Sequence, residues 1–215
     1  MTTSKQHANR LVIEIKQRIL NERKAIPGLL DLIAIAKSNA SPLILGQIFF
    51  VYLYYADGFV AHVTNKLGDI FNVNLEKPDI SREEIKRFLV HYLQSQSIEP
   101  GKKTILNWIG RYLSMLREAN LLVRKKKHEF FLNFLGIQPG TWLFFTLHAH
   151  FNNYRVVEAE FLKAFQIKPA LLAKLLDQFS GVKSVIYKIV KDESDILDVK
   201  VETTYRKFNE WIADI

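Results

Sequence analysis

Lys102, Lys103, Asn107 and Arg111 fall along one stretch at roughly helical spacing. They precede four consecutive cations, Arg124-Lys125-Lys126-Lys127, and then His128. Lysine and arginine neutralise phosphates, and asparagine or arginine can pair with base edges in the major groove. Four adjacent cations repel one another, and a phosphate backbone relieves that cost by counterion release. These residue types in this order point to nucleic acid. The competing reading is a solubilising hairpin tip or a guard on an edge strand.

Other candidate chemistry is thinner. His148-Ala149-His150 has the look of a metal pair, and on a strand both rings would share a face. The surrounding Phe144, Phe145, Leu147 and Phe151 are patterned as a helix, which splays those rings apart. Structural or surface histidines are the expectation there. Gly136-Ile137-Gln138-Pro139-Gly140 carries two glycines but no phosphate-loop lysine. Asp192, Glu193, Asp195 and Asp198 lack calcium-loop spacing and read as a solvated turn. The 15 Phe and 8 Tyr lie mostly on apolar helical faces, so core packing explains them before base stacking does. Trp108 and Tyr154-Arg155 stay open as stacking candidates. The chain has no cysteine, which removes disulfide, zinc-ribbon, iron–sulfur and thiol chemistry and fits a reducing compartment. No nucleophile elbow, kinase set or paired-carboxylate site is present. The expectation is a non-enzymatic protein with no cofactor and no metal.

The charge has an address. Of a net +8 over 215 residues, residues 101–128 hold eight basic side chains against one acidic. Residues 1–30 hold six against two. The remainder is near balance, so a diffuse polycation is excluded.

Elements must place those side chains. Leu11, Ile15, Ile19 and Leu20 predict an amphipathic helix over Asn9–Asn21, broken at Pro27-Gly28. A second helix runs through Leu29–Ile35, and Ser41-Pro42 announces a third. That segment, Leu43–Val63, is the most apolar of the chain. Gln47, Asp57 and His62 and the lack of flanking basic anchors favour the central helix of a bundle over a membrane span. Ser81 and Glu84 have capping-box spacing before a helix through Ile85, Phe88, Leu89, Tyr92 and Leu93. After a turn at Pro100-Gly101, Lys102–Asn120 forms a helix with Ile105, Ile109, Tyr112, Leu116 and Ala119 inside. Its outer stripe is Lys103, Asn107, Arg111, Ser114 and Glu118, and Asn120 is its left-handed cap. Leu121–Val123 and Phe130–Phe134 read as strands around the basic tip. Helix, turn, helix and wing is the order of a winged helix-turn-helix, in which the second helix enters the major groove. Beyond it come a helix over Leu143–Asn152, an element over Val156–Phe165 and a helix over Leu171–Phe179. A hairpin of Val182–Val190 with Ile196–Val201 and a last helix carrying Phe208, Trp211 and Ile212 complete the chain.

The run Thr104-Ile105-Leu106-Asn107-Trp108, continuing to Leu113-Ser114-Met115-Leu116-Arg117-Glu118-Ala119-Asn120-Leu121-Leu122, resembles the pattern of the BrxA family of BREX phage-defence systems. The resemblance covers the chain from about residue 10 onward, and Asn120 stands where that family often has glycine, a mild departure because both tolerate a left-handed cap. It implies a cytoplasmic, non-enzymatic, double-stranded DNA-binding component that works with other defence-system proteins. It also implies an N-terminal domain like the helical antitermination factor NusB. The expected fold class is mainly α with small β-hairpins. Residues 1–78 form a helical N-terminal bundle, 79–140 a winged helix-turn-helix, and 141–215 a helical unit with a β-hairpin. The expected DNA-binding set is Lys102, Lys103, Asn107, Arg111, Arg124, Lys125, Lys126 and Lys127. Alternatives are a protein–protein adaptor, acting through the apolar N-terminal helices, and a winged-helix transcriptional regulator. The expected partners exclude a membrane, and the pattern leaves oligomeric state, DNA sequence and competition by RNA open.

Overall fold

The computed structural model describes residues 26–73, 79–179, 184–193 and 195–215; the predicted helix over Asn9–Asn21 and the start of the predicted strand Val182–Val190 lie outside them. Helix α1 (Leu29–Lys37) begins where the Asp31 carboxylate accepts the Gly28 N–H at 3.1 Å. Helix α2 (Pro42–Ala56) starts as expected, with the Ser41 hydroxyl oxygen accepting from the Ile44 N–H and proline in the first turn.

The apolar run Leu43–Val63 is not one helix. Asp57 ends α2 by donating its N–H to the Leu53 carbonyl at 2.9 Å, in an extended conformation. Its carboxylate then accepts from the N–H groups of Phe59 and Val60, opening α3 (Gly58–Val73). One residue thus serves both helix ends, its N–H closing α2 and its carboxylate capping α3, and the chain turns by 109°. No single described helix is long and apolar enough to cross a membrane; only this bent pair has the combined length and composition.

Strand β1 (Asp79–Ser81) leads into α4 (Arg82–Ser95) through the predicted capping box: Ser81 Oγ accepts the Glu84 N–H at 3.2 Å and Glu84 Oε2 accepts the Ser81 N–H at 2.8 Å. Helix α5 (Lys102–Glu118) follows, then β2 (Leu122–Arg124) and β3 (Glu129–Leu132). Asn120 has φ of 54°, and the bonds Asn120 N–H to Arg117 O and Leu121 N–H to Leu116 O close α5. The strands pair antiparallel in the order β1-β3-β2, with Ile80 opposite Phe130 and Leu122 opposite Leu132. β1 has no counterpart in the sequence reading, because three residues are too few to show a period. With α3 packed on α4, the order α3-β1-α4-α5-β2-β3 is that of a winged helix.

The C-terminal part is built on α6 (Pro139–Phe151), whose residues Thr141–Ala149 are buried without interruption. The expected element at Val156–Phe165 is two pieces, a 3₁₀ turn (Val156–Glu158) and α7 (Glu160–Ala164), divided at extended Ala159. Helix α8 (Pro169–Phe179), the hairpin β4 (Val185–Asp192) with β5 (Asp195–Thr203), and α9 (Phe208–Ala213) complete it. The fold is mainly α with small antiparallel strand pairs. One cluster of buried side chains runs from Ile26 to Ile212 through all three expected units.

Gln47 fastens them together. It is fully buried on α2, donating from Nε2 to the carbonyls of Ala119 (3.0 Å) and Gly136 (2.7 Å). Its Oε1 accepts from the Gln138 N–H (2.9 Å) and the Thr141 hydroxyl (2.8 Å). Directly before it in the chain, Gly46 lets α2 lie on the end of α5: a Cβ there would stand 3.2 Å from the Glu118 carbonyl oxygen. The C-terminus of α5 is therefore fixed from two directions.

Candidate nucleic-acid interface

Of the predicted inner stripe of α5, Ile109, Tyr112, Leu116 and Ala119 are buried and Ile105 is half-buried against the core, and the Tyr112 hydroxyl bonds Thr64 Oγ1 at 2.9 Å. That anchoring turns Lys102, Lys103, Asn107 and Arg111 to solvent, all exposed. Along the chain no carboxylate occurs from Gly101 to Arg117.

The basic tip differs from the sequence picture. Its turn is closed by the N–H groups of Lys125 and Lys126 donating to the Glu129 carbonyl. Lys125 Nζ lies 2.7 Å from an Asp79 carboxylate oxygen and 4.8 Å above the Phe131 ring. The hydrogen bond to Asp79 holds the Lys125 ammonium above its ordinary pKa. Lys126 Nζ lies 3.8 Å from Glu129. Two of the four consecutive cations are therefore matched by acids, which removes much of the expected mutual repulsion. Exposed pairs of this kind are weak, so both lysines stay able to exchange partners.

Arg124 and Lys127 go elsewhere. With His128 they line a pocket of about 280 Å³ shared with Arg82 at the start of α4 and Arg117 on α5; Gly110, Leu113 and Phe130 form its walls. Sequence reasoning missed Arg82 and Arg117. Arg82 reads as an ordinary first-turn residue, and Arg117 sits seven residues after Gly110, on one helical face with it. That face was a readable signal, but the convergence of α4 and the wing upon it was not.

The other side of α5 is apolar. A groove of about 910 Å³ runs between α5, α4 and the α2–α3 corner, walled by Leu53, Phe59, Tyr92, Trp108 and Met115. Leu106 and Ile98 on its rim are 50% and 45% exposed. Asn107 and Arg111 line it as well, so they stand between a cationic flank and an apolar one.

No family model, curated protein or solved structure matches this chain.

The remaining candidates are packing groups. His148 is buried, with Nδ1 2.7 Å from the Tyr154 hydroxyl and its ring edge-on to Phe208, while His150 is exposed on α6. Burial lowers the His148 pKa to about 4. Among the described residues no group of three or more His, Asp or Glu is placed to hold a metal ion. Of the two stacking candidates, Tyr154 is engaged by His148, and Trp108 lies against Phe59 at 6.5 Å between ring centroids. The acidic turn contains Glu193 at φ of 48°, and Asp198 faces Arg155 at 3.9 Å.

Proposed function

We propose that this protein binds double-stranded DNA without carrying a catalytic activity. Helix α5 enters the major groove, and the wing follows the adjacent backbone. One observation supports the reading above the others: α5 presents Lys102, Lys103, Asn107 and Arg111 to solvent with no carboxylate among them, beside a wing in winged-helix topology. Phosphate contacts by the lysines would set position, while Asn107 and Arg111 are the two side chains able to pair with base edges. The resemblance over Thr104–Leu122 supports a place among the cytoplasmic accessory proteins of a BREX-type phage-defence system, alongside other proteins of that system.

The test is a binding series against duplex DNA, single-stranded DNA and RNA at two salt concentrations. Duplex should bind best, with log affinity falling linearly as log salt rises. Lys102→Glu with Lys103→Glu should weaken duplex binding by at least about tenfold and flatten the salt slope by about 2. Absence of duplex binding by the unaltered protein, or an unchanged slope in the double variant, overturns the reading.

The apolar groove favours a second reading, an adaptor whose partner protein lays an amphipathic helix along Leu106 and Trp108. Under it, capture of a partner survives the charge reversals, and Leu106→Asp abolishes capture.

A further inference from the structure

The pocket beneath the wing gathers cations that no acid among the described residues neutralises. Arg82 comes from the start of α4, Arg117 from the last turn of α5, and Arg124, Lys127 and His128 from the wing; no lining residue is acidic. Glu118, beside Arg117 in the chain, lines the apolar groove instead of this pocket, and the other carboxylates near these cations are engaged elsewhere. Asp79 faces Lys125, Glu83 faces Lys86, Glu84 faces Arg87 and Glu129 faces Lys126. Among the described residues, neither Arg82, Arg117, Arg124 nor Lys127 forms an ion pair.

Two of these side chains are already oriented. Arg117 donates from Nε to the Leu113 carbonyl (3.2 Å) and from Nη2 to Ser114 Oγ (3.1 Å). Arg124 donates from Nε to the Lys126 carbonyl (3.3 Å). Each guanidinium keeps further N–H groups free for a ligand, and a pre-ordered fork loses less entropy on binding an oxyanion. Gly110 is a second, independent sign. Glycine inside a helix costs about 1 kcal/mol against alanine, and a Cβ here would meet nothing within 4 Å. Packing therefore gives no reason for it, whereas a ligand approaching the backbone of α5 does.

We propose that this pocket binds one phosphate group. At about 280 Å³ it is just below the usual range for small-molecule sites, which suits a phosphate with its flanking atoms better than a whole nucleotide. The group is a backbone diester of nucleic acid or a free or terminal monoester. The diester source rests on the DNA-binding reading, and the anion chemistry does not.

Inorganic phosphate is titrated into the full-length protein while amide NMR shifts of Gly110 and His128 are followed. Saturable shifts at both are expected. Arg117→Gln should weaken phosphate binding about tenfold or more, the scale of a lost charge-assisted hydrogen bond. Lys127→Gln, on the exposed turn and without risk to α5, should show the same direction. Lys168→Gln, with equal charge loss outside the pocket, should show none. A 5′-phosphorylated duplex that outcompetes its 5′-hydroxyl counterpart identifies the monoester as occupant. Equal competition, with weakening by a single internal methylphosphonate, identifies the diester. Unsaturable shifts, or equal effects of Lys127→Gln and Lys168→Gln, overturn the proposal even if duplex binding is intact. Saturable phosphate binding without any duplex binding upholds the pocket and overturns the DNA reading.

Discussion

On the wing side of α5, Arg82, Arg117, Arg124 and Lys127 surround a pocket of about 280 Å³. On its other side Leu53, Phe59, Trp108 and Met115 wall a groove more than three times larger. Both flanks use the same helix, and Gly110 lines each of them. The helix itself does not decide the difference. It gives Gly110, Leu113 and Arg117 to the pocket and Leu106, Asn107, Gly110 and Arg111 to the groove, with the exposed stripe of Lys103, Asn107 and Arg111 between the two. The wing brings cations, and the α2–α3 corner brings aromatic and aliphatic side chains. A polyanion and an apolar segment can therefore address one helix from opposite sides, and substitutions at the shared stripe will disturb both.

The largest effect is expected where both flanks have a common support. Gln47→Leu leaves the carbonyls of Ala119 and Gly136, the Gln138 N–H and the Thr141 hydroxyl without their buried partner. Each unsatisfied group costs about 1–3 kcal/mol, and partial relaxation brings the expected loss to about 4 kcal/mol. At about 2–4 °C per kcal/mol for a chain of this size, calorimetry should show Tm falling by roughly 10 °C. Because Gln47 fixes the end of α5, groove and pocket should fail together on heating. Survival of one flank's binding after the other is lost would separate them.

His148 tests the comparison from outside it. It touches neither flank, and its pKa in the folded protein, about 4, lies below the ordinary value near 6.5. The unfolded chain therefore takes up a proton that the fold resists. The contribution is complete above about pH 6.5, declines as pH falls toward about 4, and is gone below it. The span is about 3 kcal/mol. In denaturant titrations at pH 7 and pH 4.5, His148→Gln should lose much less stability between the two than the unaltered protein. Loss of DNA binding near pH 4.5 that His148→Gln rescues is then unfolding, not chemistry of the wing.

The parts of this architecture readable in the sequence are those fixed within a few residues. Ser81 with Glu84, Ser41-Pro42 and Asn120 each satisfy helix ends locally, so type and spacing suffice. Asp57-Gly58 carries a turn signal too, but the apolar residues on both sides outweigh it in a periodicity reading, and the 109° bend stays hidden. The site was legible in half. Lys103, Asn107 and Arg111 share a face by helical period alone, with Lys102 exposed beside them at the helix start. Arg82 joins Arg117 only because β1 pairs with β3, with the Arg82 N–H donating to the His128 carbonyl beyond the strand end. Pairing between strands so far apart in the chain leaves no local mark. The same pairing puts Asp79 beside the wing, where it takes up a cation that sequence reading counts as free.

That aspartate gives the smallest expected effect and the finest division between paired and unpaired cations. Asp79→Asn removes the carboxylate facing Lys125 at 2.7 Å and keeps the shape of β1. The pair is exposed, so stability should hardly change. Lys125 no longer has to leave a carboxylate before meeting a phosphate, and one negative charge beside the wing is gone. Duplex affinity at low salt should rise about two- to threefold, with the gain fading as salt screens it. Phosphate affinity of the pocket should stay the same, because Asp79 and Lys125 are not among its lining residues. A rise in both would mean that the wing acts as one diffuse cation. A rise in duplex affinity alone would establish two kinds of contact: a screened lysine tip that adds charge, and a pocket that holds one phosphate in place.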